Sequence, residues 1–366
     1  MASHSSMTLG KAANMLPRHS AWHTACLLLL YSICAVLPAT AWAASCITQS
    51  QMKANERDNL STAARAMVDE VQKGNVQALR GSTIPSLAAD FGGIESSANG
   101  LKPLVQRATI TIDSMYVLDA STETSGAVRT DFYCGTPLVV VNLTNLPPGR
   151  YALTILHATG VAQPQQISLI LVETADDHWM LGGFFSKPMV QAGHDGLWYW
   201  SAARKYEQAN MKLDAWLYYR MAADILEPVD FISSPNLERI QHEVDSARPD
   251  HFSDTEPLML DAQGSAFKVT IISTTTVFGS LDLEVHYAPD AAQAALLHDP
   301  PNARKQVTQV MTALLALHPE LHDAFHGIWV QADQGSDSVF SLELPMDQIT
   351  GNTMLLPATA SNSGAR

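Results

Sequence analysis

The stretch of sequence that decides the fold is ISLILVETADDHWMLGGFF, residues 167–185. Two apolar runs flank the turn Ala175-Asp176-Asp177, so the stretch predicts two neighbouring strands. Asp side chains hydrogen-bond to the backbone in turns, which accounts for Asp176 and Asp177 without a catalytic role. Three upstream segments alternate with period two and predict further strands, at Ile110–Ile112, Val139–Val141 and Tyr151–Ile155.

A helical region precedes these strands. An apolar stripe of helical period begins near residue 59 and continues to about residue 106, with Ser61 or Thr62 as the N-cap. Gly74-Asn75 divides this region into two helices. Between two of the predicted strands, Pro147-Pro148-Gly149 is typical of a hairpin turn, because Pro fixes one backbone dihedral and Gly accepts a positive φ.

Helices followed by a strand meander that closes on an acidic turn, a Trp and a Gly-aromatic pair resemble the NTF2-like superfamily, over residues 56–188. Gly74–Leu79 resembles the family's break between its first two helices, and Asp176–Phe185 resembles its closing hairpin. The resemblance implies a curved antiparallel sheet that wraps around the helices as a cone with an apolar pocket. It implies no particular activity, because one fold serves many functions.

Residues 196–228 resemble a tetratricopeptide repeat, which is a hairpin of two packed helices. The small and aromatic positions of the repeat match Tyr199, Ala202, Ala203, Tyr206, Ala215, Tyr219 and Ala222, and Pro228 follows one residue beyond the usual terminator. Small residues let two helices approach closely, and aromatic rings fill the space beside them. One copy cannot bury a continuous core, so we expect the hairpin to pack against a neighbouring domain and not to form a peptide-binding superhelix.

The rest of the chain predicts a C-terminal domain at residues 267–350, after a polar linker at 247–266. Two alternating strands, one helix and two further strands predict a two-layer ββαββ unit, in which the helix covers one face of an antiparallel sheet. The predicted fold class is therefore α+β. The predicted NTF2-like domain spans residues 46–190, and the region of the predicted tetratricopeptide-like (TPR-like) hairpin spans residues 191–246. Residues 351–366 lack apolar periodicity and are expected to be disordered.

The N-terminus predicts export to the periplasm or the medium. Lys11 and Arg18 precede the apolar run Cys26–Leu37, and Ala41-Trp42-Ala43 matches a cleavage site, so residues 1–43 are typical of a secretory signal peptide. The run is short for a membrane span, and we expect no transmembrane segment in the mature chain. Loss of these two basic residues changes the formal charge from −14 to −16. Nucleic acid is therefore not expected as a partner.

Two cysteines, Cys46 and Cys134, remain after removal of the leader. In an oxidising compartment a pair of cysteines favours one disulfide. Two alternatives stay open: both thiols are free, or Cys46 carries a lipid anchor. Bacterial lipoprotein signals normally have a Leu three residues before the modified cysteine, whereas this chain has Ala43 there.

Three histidines, His318, His322 and His326, have the spacing of one helix face and are the best metal candidates in the sequence. Pro319 disfavours helical geometry at His318, so only His322 and His326 remain as weak candidates. The sequence shows no third ligand and no H-E-x-x-H order. We therefore expect polar surface histidines and no metal site, and no motif indicates a cofactor.

Two further candidate sites follow from the resemblances. The pocket of the NTF2-like cone has five polar candidates on or beside strands, which are Asp113, Tyr116, Tyr133, His157 and His178. Alternation does not decide which of these side chains point inward. The other candidate is an aromatic ligand patch that consists of Tyr199, Trp200, Trp216 and Tyr219. The repeat pattern accounts for most of that patch as core.

These observations favour an exported, non-enzymatic protein of the cell envelope that binds a protein partner or a small apolar ligand. The alternative is a small-molecule enzyme, a hydrolase or isomerase, with its active site in the cone. The enzyme hypothesis requires ionisable side chains in a deep cavity, whereas filling by Trp179, Phe184 and Phe185 favours a binding or structural role. A third hypothesis, a subunit of an envelope complex, requires a large exposed apolar patch.

Overall fold

Blocks of helices alternate with blocks of strands along the chain. The computed structural model describes residues 44–123, 128–174, 178–250 and 257–349. The strands are β1 (Ser45–Thr48), β2 (Thr109–Asp119), β3 (Arg129–Cys134), β4 (Val139–Thr144), β5 (Arg150–Thr159), β6 (Gln165–Glu173), β7 (Trp179–Pro188), β8 (Val190–Gln191), β9 (His194–Asp195), β10 (Ile232–Ser233), β11 (Leu258–Ala262), β12 (Ser265–Thr275), β13 (Asp282–Ala288), β14 (Gly327–Gln334) and β15 (Asp337–Pro345). The helices are α1 (Ala54–Lys73), α2 (Val76–Gly81), α3 (Pro85–Ala89), α4 (Gly92–Val105), α5 (Gly196–Gln208), α6 (Lys212–Leu226), α7 (Pro235–Ala247), α8 (Ala291–Leu296), α9 (Pro300–Leu317) and α10 (Leu321–Ala324). The predicted leader, the turn Asp176-Asp177 and the tail at 351–366 lie outside the described residues.

The predicted strand meander is present as a five-stranded antiparallel sheet with the order β1-β2-β5-β6-β7. Leu153 on β5 lies opposite Ile170 on β6, and Leu169 on β6 lies opposite Phe184 on β7. Most of β6 is buried, because the sheet is covered on both faces. Helices α1 and α4 cover one face and share a hydrophobic core with it.

Helix α1 begins earlier than the sequence predicts, at Ala54. Ser61 and Thr62 are therefore interior residues and not N-caps, and both hydroxyls donate to the Asp58 carbonyl, at 3.0 and 2.7 Å. The predicted break at Gly74-Asn75 is confirmed. Gly74 has a φ of 72° and ends α1, where a residue without a Cβ avoids strain. Asn75 accepts a hydrogen bond from the Ala78 N–H and caps α2.

The opposite face of the first sheet is covered by a second sheet of three strands, in the order β10-β4-β3. The hairpin predicted at Pro147-Pro148-Gly149 is therefore wrong, since β4 and β5 belong to different sheets. Two consecutive prolines lack the N–H groups that a hairpin ladder needs, and the segment instead carries the chain from one layer to the other. The Tyr151 hydroxyl donates to the Pro147 carbonyl at 2.7 Å and fixes this crossover.

The cysteine pair joins the two sheets. Cys46 lies on β1 of the first sheet and Cys134 ends β3 of the second. Their Cα atoms are 5.0 Å apart, and the sulfur atoms are at disulfide distance, as the sequence predicts. A lipid anchor on Cys46 would be attached to the same sulfur atom, so the anchor and a disulfide exclude each other.

A helical hairpin is present where the sequence places one, in α5 and α6, and α7 packs beside it. Of the residues that match the repeat pattern, Tyr199, Ala203, Ala215, Tyr219 and Ala222 are fully buried. They share one continuous core with the C-terminal sheet. The segment between α6 and α7 contributes β10 to the three-stranded sheet, where Ile232 lies opposite Val141.

The C-terminal sheet has five strands, in the order β11-β12-β13-β14-β15. The prediction of a linker at 247–266 is wrong in part, because residues 258–262 form β11. Gln263 and Gly264 both have positive φ, at 54° and 81°, so they connect β11 to β12 by a two-residue hairpin turn.

The C-terminal sheet is also not fully antiparallel. Strands β13 and β14 are parallel, whereas the predicted ββαββ unit has an antiparallel sheet. The chain between these two strands contains α8, α9 and α10, and such a helical crossover returns it to the sheet in the same direction. Helices α9 and α10 contribute to the same core as α5 and α6.

The described residues all belong to one compact unit. Strand β10 crosses the boundary predicted at residues 190 and 191, since it carries the helical region into the second sheet. Among the described residues, no helix combines the length and the apolar character that crossing a membrane requires.

Candidate functional site

The five polar candidates of the NTF2-like region do not converge on one site. Asp113 and His157 approach each other, with 3.9 Å between Oδ1 and Nδ1, and both are accessible to solvent. Tyr116 packs against the core between the two sheets. Tyr133 is 58% exposed and His178 is exposed. The structure thus brings together one pair of the five, at the protein surface.

Aromatic side chains fill the space between the first sheet and its helices. Trp179 and Phe184 are buried in this core. Phe185 points to the opposite face, is 40% exposed, and packs edge-on against Phe231 with 5.4 Å between the ring centroids. Two of the three residues named by the filled-pocket hypothesis therefore occupy the interior.

The predicted aromatic patch is dispersed. Tyr199 is fully buried and its hydroxyl donates to the Gln191 carbonyl at 2.9 Å, and the Tyr219 hydroxyl donates to Glu207 at 2.6 Å. The Trp200 indole donates to Glu243 at 2.5 Å. Trp216 lies apart from these residues, where it lines a cleft between α6 and β12.

The three predicted histidines each have a separate acidic neighbour. His318 Nδ1 lies 3.0 Å from Glu320, and His322 Nδ1 lies 3.0 Å from Asp323. Helix α9 ends at Leu317, before Pro319, and α10 ends at Ala324. His322 and His326 therefore share no helix face, and His326 instead lies 3.0 Å from Asp282.

A cleft of about 990 Å³ lies between the helical hairpin and the C-terminal sheet. Helices α6 and α7 form one wall, and β12 forms the other. Residues 268–277 line the cleft without interruption. Two helices therefore bound the cleft on one side, and one strand bounds it on the other.

Charged and aromatic groups are arranged along the helical wall. The Arg220 guanidinium lies 4.7 Å from the Trp216 ring centroid and donates to the Ile272 carbonyl at 3.2 Å. Lys187 lies outside the lining, 3.6 Å from Asp224, and donates to the Glu227 carbonyl at 2.8 Å. Burial raises the pKa of the Glu227 carboxyl, although Lys187 opposes this. One end of the wall is thus acidic and its middle is basic and aromatic.

The strand wall has a partly open edge. β11 pairs with β12 only from Ser265 to Val269, although β12 continues to Thr275. Within the described ranges, no strand pairs with residues 270–275 on the side away from β13. Strand edges of this kind offer backbone N–H and C=O groups to another chain.

Hydroxyl groups accompany this edge at Thr270 and at the consecutive residues 273–276. Thr276 donates to the Gln191 side chain at 2.7 Å. The apolar alternation of Phe267, Val269 and Ile271 predicts a strand that ends near Ile271, so the sequence did not predict this part of β12. The run Ser273-Thr-Thr-Thr276 could have extended it, because Thr is β-branched and favours strands.

No protein-family model matches the chain, and no curated protein and no solved structure matches it.

Proposed function

We propose that this is an exported, non-enzymatic binding protein of the cell envelope, and that its cleft holds a polypeptide partner in extended conformation. The observation that carries the proposal is the stretch 270–275 of β12 in the cleft, which pairs with β13 and with no second strand among the described residues. An added strand would make main-chain hydrogen bonds with that edge, and its alternate side chains would contact the cleft walls.

The composition of the cleft supports a peptide as the ligand. Thr270 and Thr274 supply hydroxyls, Trp216 supplies an aromatic surface, and Asp224 and Lys268 supply charges of opposite sign. Such a mixture suits a chain with varied side chains better than a uniformly apolar molecule. The Arg220 contact to Ile272 occupies one carbonyl of the strand in the free protein, and a partner would compete with that contact.

Export and the two family resemblances belong to the same proposal. The N-terminal leader pattern and the cysteine pair at disulfide distance support export. The NTF2-like assignment of residues 56–188 rests on element order, and the TPR-like assignment of 196–228 rests on residue spacing. We propose that both regions are scaffold, because the five polar candidates of the first do not meet and the aromatic residues of the second are mainly core.

Peptide selection with a cleft variant tests the proposed function. Peptides selected from a random display library on the wild-type protein are measured by fluorescence anisotropy against Thr270→Trp, which places a large ring in the cleft. We expect at least a tenfold loss of affinity. The matched control is Thr111→Trp, since Thr111 is an exposed strand residue on β2 and does not line the cleft.

Two results would contradict the proposal. One is that no selected peptide binds the wild-type protein in solution. The other is that Thr270→Trp binds the peptides as tightly as the wild type, or that Thr111→Trp weakens binding to the same extent.

A further inference from the structure

The ends of three neighbouring strands bring an aspartate, a histidine and a glutamate together. Asp282 is the first residue of β13, and His326 immediately precedes β14. Glu343 lies on β15 opposite Trp329. The His326 N–H donates to the Leu281 carbonyl at 2.9 Å, which holds His326 beside Asp282. One potential ligand atom from each side chain lies within 4.8 Å of those of the other two.

Asp282 is a buried carboxylate with an incomplete set of partners. It is 0% exposed, and its Oδ1 lies 3.0 Å from His326 Nδ1. Its Oδ2 is buried and has no hydrogen-bond partner in the described part of the chain. An unsatisfied buried oxygen of a charged group is costly, so the Asp282 carboxylate has capacity for a further partner such as an ion.

Gly327 leaves the space in which the carboxylates meet. A Cβ at this position would lie 2.6 Å from Glu343 Oε1, 2.8 Å from the Leu344 carbonyl oxygen and 3.0 Å from Asp282 Oδ1. Any other residue would therefore displace one of these oxygens. Glycine at this position therefore permits the close approach of Glu343, of the β15 backbone and of Asp282.

A second acidic and histidine cluster on the same sheet provides a contrast. His286 Nδ1 lies 2.7 Å from Asp333, and its Nε2 lies 3.2 Å from Glu284. Gln331 donates to Glu284 at 2.7 Å. These groups satisfy one another, whereas Asp282 retains an oxygen without a partner among the described residues.

We propose that Asp282, His326 and Glu343 bind one divalent transition-metal ion, with Zn²⁺ as the best-fitting ion. Carboxylate oxygen and imidazole nitrogen are both zinc ligands, and three protein ligands with one open position are typical of an accessible zinc site. Two carboxylates balance the charge of the ion. The proposal does not depend on the peptide cleft.

The distances suit an ion after a small adjustment. Two ligand atoms at about 2.1 Å from a tetrahedral ion are about 3.4 Å apart. Asp282 Oδ1 and His326 Nδ1, now 3.0 Å apart, would separate by about 0.4 Å to hold one ion, and Glu343 would move inward. His326 is 53% exposed in its side chain and also lines a cavity of about 260 Å³ with Trp198 and Tyr218. The His326 side of the proposed site therefore has access to this cavity.

Zinc titration of the purified, metal-free protein tests this site. Isothermal titration calorimetry should show one Zn²⁺ per chain and no binding of Mg²⁺ at the same concentration. His326→Gln and Glu343→Gln should each weaken Zn²⁺ binding at least tenfold. Visible absorption of the Co²⁺-loaded protein gives a second measurement, and the ligand variants should lose its spectrum.

Two variants serve as controls. Glu284→Gln changes a carboxylate on the same strand as Asp282, and His322→Gln removes the histidine of the alternative pair. Both should retain wild-type Zn²⁺ affinity. If His326→Gln does not fold by circular dichroism, Asp282→Asn replaces it. The proposal is overturned if the wild type binds no stoichiometric Zn²⁺, if the ligand variants bind as tightly as the wild type, or if Glu284→Gln loses binding equally.

Discussion

At the scale of single residues, Asp214 is the most unusual ionisable group of the helical hairpin. It lies on α6 with 0% exposure, and among the described residues neither carboxylate oxygen has a hydrogen-bond partner. Burial raises the pKa of Asp214 to about 7, with repulsion from Glu320 and Asp323 as the smaller causes. The native state therefore holds a proton on this carboxyl more tightly than the unfolded chain does.

This shift predicts a pH-dependent stability. The stabilisation by protonated Asp214 is complete below its ordinary pKa of 3.8 and is lost as pH rises towards 7. The expected loss is about 2–4 kcal/mol of unfolding free energy between pH 5 and pH 8. Urea unfolding at pH 5 and pH 8 measures it, and Asp214→Asn should remove most of the difference. An unchanged difference in that variant would assign the pH dependence to other groups.

At the scale of elements, the cysteine pair connects β1 to β3 across the two N-terminal sheets. The two cysteines are separated by 88 residues in sequence, so a disulfide would close a long loop. We expect the double variant Cys46→Ala/Cys134→Ala to lose about 2–5 kcal/mol of unfolding free energy.

Guanidinium unfolding with and without reductant measures this contribution. The intact mass of the non-reduced protein provides the control, because a disulfide lowers it by two hydrogens. A mass with two free thiols, together with the same unfolding midpoint in both solutions, would contradict the prediction.

Local patterns predicted most elements, and long-range pairing accounts for the errors. Period-two alternation identified β2, β4 and β5, because each of these strands sorts its side chains between two faces, and apolar runs identified β6 and β7. The same signal did not show that Val141 on β4 pairs with Ile232 on β10, which is distant in the chain. The two-residue turn at Gln263-Gly264 was not predicted, because the polar residues around it are typical of a linker.

The candidate sites were less predictable than the elements. His326 was named as a metal candidate, but its neighbours Asp282 and Glu343 come from β13 and β15. The alternating sequence Asp282-Leu-Glu-Val-His286 places three polar side chains on one face of a strand. This alternation was the signal in the sequence for a polar site on that strand. No local pattern shows which strands become neighbours, so the third ligand could not be inferred.

At the scale of the whole molecule, the cleft exists because two parts of the chain share one core. The helices α5 and α6 pack with the C-terminal sheet, while β10 ties the same helical region to the N-terminal sheets. The helical wall is thus held from both sides, and residues 270–275 of β12 face it. A partner entering the cleft would meet a largely preformed surface.

Hydrogen exchange along β12 tests the central claim most directly. Backbone amide exchange is measured by mass spectrometry for the free protein and for its complex with a selected peptide. The account predicts slower exchange concentrated in residues 270–275, because an added strand would accept hydrogen bonds from the N–H groups on that edge. A complex in which these amides exchange at the free rate, with protection elsewhere in the protein, would contradict it.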